Sequence, residues 1–147
     1  MTASSDLAQF IQEHVAQVEP LDKVVNLAYW NFTTTGKKEY EEELTRLQVA
    51  LRKIYADRAQ FEQLKSLMDG HSIDDPVVVR QATLLRDAFT GNQMDEATIE
   101  ELTRREVAIE STFNTFRAEL RGKKVSENDL KDILRESDDL ELRQQAW

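Results

Sequence analysis

The chain has 147 residues, 40% of them apolar and 32% charged, with only four glycines and two prolines, a mixture that suits long amphipathic helices around a real core. A net charge of −9 sets its own field against phosphates, which excludes nucleic acid and anionic membrane surfaces as expected partners. With no cysteine, no apolar run near the roughly 20 residues of a membrane span, and no basic or apolar signal at the start, the expectation is a cytoplasmic protein without disulfides or thiolate sites.

Ser5 is a candidate N-cap, with Asp6 favourable in the first turn. Leu7, Ile11, Val18, Leu21, Val25, Ala28 and Phe32 then step by fours and threes, and His14 fills the remaining slot, so one helical face is predicted from about Ser5 to Thr34. Pro20 removes a backbone donor inside it, but the seam keeps its phase across the proline. That predicts a kinked helix; a break at Glu19 is the alternative. The stretch Asn26–Gly36 packs Tyr29, Trp30 and Phe32 into four residues. It then closes on three threonines and a glycine, and it is expected to anchor the packing.

A second helix is predicted from near Lys37, with Tyr40, Leu44, Leu47, Leu51 and Ile54 as its buried stripe. Phe61, Leu64 and Met68 continue out of phase, so a bend or short separate helix follows Asp57 and ends at Asp69–Gly70. Asp75 as cap and Pro76 at the first helical position open a third long helix carrying Val78, Ala82, Leu85 and Phe89, closed by Thr90–Gly91–Asn92. A fourth, from Asp95 or Thr98 to about Leu120, is predicted to bury Ile99, Leu102, Ile109, Phe113, Phe116 and Leu120, with Glu106 inside that seam. Val125 is read as briefly extended. Ser126 with Asp129 resembles a capping box, Ser137 is expected to cap a last helix bearing Leu140 and Leu142, and the chain stops on Ala146–Trp147 with no cap. This is the pattern of a cut end. The fold expected is all-α, with long antiparallel helices in a single helical bundle over residues 1–147.

No catalytic, cofactor-binding or metal-binding residue is assigned. The two histidines, His14 and His71, lack ligand partners at helical spacing; His14 reads as a hydrogen-bonded core residue and His71 as a solvated turn residue. No HExxH, phosphate loop, GxSxG or cysteine nucleophile occurs. Glu106 is the one carboxylate whose position suggests burial, its head expected to reach water or an arginine such as Arg104, Arg105 or one from another helix.

Two segments carry a resemblance. Ala28, Trp30, Asn31, Phe32 and Thr34 resemble the A-x-W-N-aromatic-x-T segment near the N-terminus of the peptidyl-dipeptidase A (angiotensin-converting enzyme) family of zinc metallopeptidases. Asp129, Leu130, Ile133, Leu134, Ser137, Ala146 and Trp147 are similar to its D-L-x-x-I-L-x-x-S pattern with an A-W pair ten residues after the serine. Zinc oligopeptidases of the oligoendopeptidase F kind share this helical N-terminal architecture. Gly36 and Lys37 depart from the animal enzymes, and the cysteines of this region are absent, which points to a bacterial-type homologue.

The resemblance implies a non-catalytic N-terminal lid fragment of a larger peptidase. Its zinc and catalytic channel would belong to a downstream portion of the same parent chain, and peptides would be the parent's substrates. The fragment itself is expected to hold no cofactor and to be able to self-associate. The other reading of the residues is a free-standing helical interaction domain.

Overall fold

A computed structural model describes residues 3–69, 73 and 75–147. The chain is all-α. Among the described residues it forms seven helices and one two-stranded ribbon: α1 Ala3–Thr35, α2 Lys38–Tyr55, α3 Arg58–Asp69, α4 Pro76–Gly91, α5 Glu96–Thr115, β1 Ala118–Leu120, β2 Lys123–Val125, α6 Glu127–Glu136 and α7 Leu140–Ala146. It divides into two compact units, Met1–Ile109 and Glu110–Trp147. His71, with the Gly70 expected to end a helix, lies outside the described residues.

In the first unit α1 runs unbroken through Pro20. Its seam is the predicted one: Leu7, Ile11, His14, Val25, Ala28 and Phe32 are buried, and Val18 and Leu21 are half-buried. The helix closes where the threonines stand. The hydroxyls of Thr33, Thr34 and Thr35 donate to the carbonyls of Tyr29, Trp30 and Asn31 at 2.9, 2.7 and 2.6 Å. Gly36 then takes φ +65°, left-handed backbone that glycine adopts without a Cβ penalty, and its amide donates to Phe32 at 2.9 Å. The two-residue connection Gly36–Lys37 folds α2 back along α1, the most extensive helix pairing in the unit.

Two core clusters result. The first joins Leu7, Phe10 and Ile11 of α1 with Phe61 and Leu64 of α3 and Ala82 and Phe89 of α4. The second joins Val25, Ala28 and Phe32 of α1 with Leu44 and Leu47 of α2 and Val107 of α5. Asp75 caps α4, accepting from the amides of Val77 and Val78, with Pro76 at the position where a missing N–H costs nothing.

Two expectations are corrected in this unit. The aromatic corner is not a buried hub: Phe32 is fully buried, but Tyr29 is 44% and Trp30 66% exposed. A step of about 100° per residue puts positions 28 and 32 inward together and swings 29 and 30 away. On α5 Ile99 is buried as expected, but the buried positions that follow it are Thr103 and Val107, one step off the predicted seam, so Leu102 and Ile109 face solvent and Glu106 is exposed.

The second unit holds the end of α5, the ribbon, α6 and α7. The predicted helix to Leu120 stops at Thr115, because Ala118–Leu120 pairs antiparallel with Lys123–Val125. Arg121 and Gly122 both take positive φ (49° and 76°), as a tight two-residue hairpin turn requires. Period-two alternation then buries Leu120 and exposes Glu119. Leu120 is the one buried apolar side chain among the described residues of this unit, while Phe113, Phe116, Leu140 and Trp147 are 64% to 97% exposed.

Candidate functional site

The residues that carry the resemblance fall in both units. In the first, Ala28 and Phe32 are spent on the core, while Asn31 is half-buried and Thr34 exposed. Trp30 is left at the surface, and Val24 and Leu27 of the same helix are exposed as well. In the second, Asp129 completes a capping box on α6: its carboxylate accepts from the Ser126 amide at 2.7 Å, and its amide donates to Ser126 Oγ at 3.2 Å. The Ser126 hydroxyl, which also donates to that carboxylate at 2.7 Å, and then the Ser126 amide hold the Asp129 carboxyl below its ordinary range.

Leu130, Ile133 and Leu134 are half-buried on α6. Ser137 ends α6 rather than starting α7. The cap of α7 is Asp139, whose carboxylate accepts from the Leu142 amide at 2.9 Å. The reason is spacing: a cap side chain bonds the amide two or three residues on, which Asp139 does for a helix starting at Leu140. Ala146 is half-buried and Trp147 almost wholly exposed. Arg121 of the hairpin turn ties to this helix by an ion pair with Asp139 at 3.1 Å and a bond to Gln145 at 3.3 Å.

Glu106 meets an arginine from another helix. Arg52 of α2 pairs with its carboxylate and also donates to the hydroxyl of Thr103 at 3.1 Å. Thr103 is fully buried, so Arg52 supplies the partner that lets a polar side chain sit in the core.

The most chemically distinctive place is a groove of about 520 Å³ along α1, lined by His14, Val18, Glu19 and Asp22 on that helix, by Tyr55 of α2 and by Leu84 and Leu85 of α4 among others. His14 is buried at 4% exposure, edge-on to Tyr55 at 5.0 Å and 5.2 Å from the Phe89 ring. Neither ring nitrogen has a hydrogen-bond partner. Burial pushes its pKa below the ordinary histidine value; Gln60 beside it acts weakly the other way without reaching hydrogen-bond geometry. The Tyr55 phenol is pushed up, first by burial and then by the charge of Asp22.

Sequence reasoning marked His14 through its place in the seam but expected it to be hydrogen-bonded, and it missed Tyr55 and Asp22. The i, i+4, i+8 spacing of His14, Val18 and Asp22 was the available signal. Among the described residues no three histidine or carboxylate side chains gather as a metal site, and no helix is long and apolar enough to cross a membrane.

Set against protein-family models, curated proteins and solved structures, the chain matches none.

Proposed function

We propose that this chain is a non-catalytic helical lid of a cytoplasmic zinc-dependent oligopeptidase or peptidyl-dipeptidase, restricting which peptides reach a catalytic channel built by another portion of the same parent chain. The observation that carries the reading is Trp30. It belongs to the first motif, yet it is 66% exposed on a helix whose opposite face is closed by the core. A tryptophan that its own fold does not bury is the kind of residue that anchors a contact with another surface. The exposed Phe113, Phe116, Leu140 and Trp147 of the second unit support the same reading, since a surface of this kind is ordinarily covered. Rigid helices over a channel admit flexible peptides, reject folded proteins and help to exclude water when the lid closes. Zinc and the bond-breaking groups would come from the parent's catalytic portion.

A free-standing helical interaction domain is the second reading. It is favoured by the first unit, whose two clusters are built from α1 to α5 alone.

The deciding experiment is to follow the reading frame beyond Trp147, express its full product, and assay bound zinc and hydrolysis of a fluorogenic peptide. An HExxH downstream, one zinc per chain, and a Trp30→Ala variant whose peptide-length preference changes are expected. A frame that stops near Trp147, or continues without a zinc motif, rejects the lid.

A further inference from the structure

The groove along α1 does not end where it was described above. It shares Ile11, Val15, Glu19 and Gln81 with a second groove, of about 410 Å³, nearer the start of the helix. Ala8 and Val78 line the far end of the second, Asp22 and Ala88 the far end of the first, so α1 and α4 run in the same direction along one trough. Each wall is a single helical stripe. Ala8, Ile11, Val15, Val18 and Asp22 step by threes and fours along α1, and Val78, Gln81, Leu85 and Ala88 do the same along α4. The core leaves part of these walls open: Val15 is 49% and Leu84 52% exposed. Among the described residues no lysine or arginine lines either part, and the charged groups that do are Glu19 and Asp22. Glu19 is paired with Lys23 at 2.7 Å. The Asp22 carboxylate accepts at 3.0 Å from the neutral Asn26 amide and meets no cation.

From this arrangement we infer that the trough seats an amphipathic helix of another protein, with apolar residues three and four apart facing the trough and a lysine or arginine over Asp22. Two helices lying side by side with apolar stripes at this spacing present ridges on which the apolar face of a third helix packs. From Ala8 to Asp22 the α1 wall runs about 21 Å, which sets the length of the seated helix at roughly four turns. The small side chains of Ala8 and Ala88 leave room for it at the two ends. Asp22 fixes the charge of the partner, since a cation there completes the one carboxylate of the trough that its own chain leaves unpaired. A second copy suits the trough less well, because two chains of net charge −9 repel each other. The inference does not depend on the lid reading, and Trp30 does not line the trough.

The test is titration of the 147-residue chain at low salt, by calorimetry and by amide resonances, with synthetic helices of about 15 residues that carry leucines three and four apart on an alanine and glutamine background. Two of them bear a pair of lysines, in the first or in the last turn. A third bears glutamates instead, and a fourth has the composition of the lysine peptides in scrambled order. A lysine peptide is expected to bind one per chain and to shift resonances of α1 and α4 saturably, and the glutamate and scrambled peptides to bind at least about tenfold more weakly. Asp22→Asn should narrow the gap between the lysine and glutamate peptides. Leu84→Arg, outside the core clusters, should remove binding while circular dichroism shows the chain still folded. Ile109→Ser, at an exposed apolar position outside the trough, should leave binding unchanged. No saturable binding at millimolar peptide, equal binding of the scrambled order, or indifference to Leu84→Arg would each overturn the assignment. So would a sedimenting dimer that Leu84→Arg dissociates, which would give the trough to a second copy.

Discussion

The imidazole of His14 stands edge-on to the ring of Tyr55, centroids 5.0 Å apart and planes at 62°. The imidazole is therefore held as a neutral aromatic among aromatics. In the unfolded chain it titrates at about 6.5, and in the fold burial lowers that value. The unfolded state thus takes up the proton first, so stability is full above about pH 6.5 and is lost as pH falls toward the folded value. The melting temperature should drop between pH 7 and pH 5 in the natural chain. His14→Phe, which keeps the ring contacts and removes the titration, should flatten that slope. Parallel pH profiles for the two proteins would count against a buried neutral imidazole.

Phe32, not Trp30, is the aromatic that the fold depends on. Phe32 is fully buried beside Leu44 and Val107, whereas Trp30 is largely in water. Phe32→Ala should cost about 3–5 kcal/mol and Trp30→Ala less than about 1 kcal/mol in urea melts. Equal losses would show that the tryptophan packs within its own chain.

Arg52 matters more than the ion pair it forms. Glu106→Gln removes one charge from a partly exposed pair and should cost under about 1 kcal/mol. Arg52→Ala also strips the hydroxyl of buried Thr103 of its partner, which adds roughly 1–3 kcal/mol. Adding Thr103→Val to Arg52→Ala should recover most of that difference, and chemical denaturation of the three variants measures it.

The exposed aromatics of the second unit predict self-association. Phe113 and Phe116 are 72% and 64% exposed, and the net charge of −9 opposes contact between copies. Raising the salt screens that repulsion, so sedimentation should show growing association with both salt and protein concentration. Phe113→Ser with Phe116→Ser should abolish it. A natural chain that is monomeric throughout would place these side chains outside any interface between copies.

The fold was legible wherever the sequence pattern and the burial coincide. The fours and threes from Leu7 to Phe32 predict α1 because every apolar member of that seam is buried or half-buried. Asp75–Pro76 and Ser126–Asp129 announce helix starts because their side chains satisfy amides a fixed distance on. The face of α5 was misread for a physical reason. Leu102, Ile109, Phe113 and Phe116 make a longer row than Ile99, Thr103 and Val107, and a wholly apolar one, but periodicity identifies a face without saying whether the same chain covers it. Thr103 could be chosen for the interior only because Arg52, far off in sequence, meets its hydroxyl. The groove was half legible: His14 interrupts an apolar seam and attracts notice, and Asp22 shares its face of α1 at an eight-residue step, whereas Tyr55 joins them only once α2 folds back along α1.

Pro20 falls between the two core clusters that α1 serves, after Ile11 and His14 and before Val25 and Phe32. Its ring leaves the carbonyl of Ala16 without a rung at the one place where neither cluster has a fully buried apolar residue on this helix. The two clusters are therefore joined along α1 by its weakest turn. Under native conditions the ends of α1 can exchange their amide hydrogens as separate cooperative blocks, each with its own opening free energy, although one uninterrupted helix connects them.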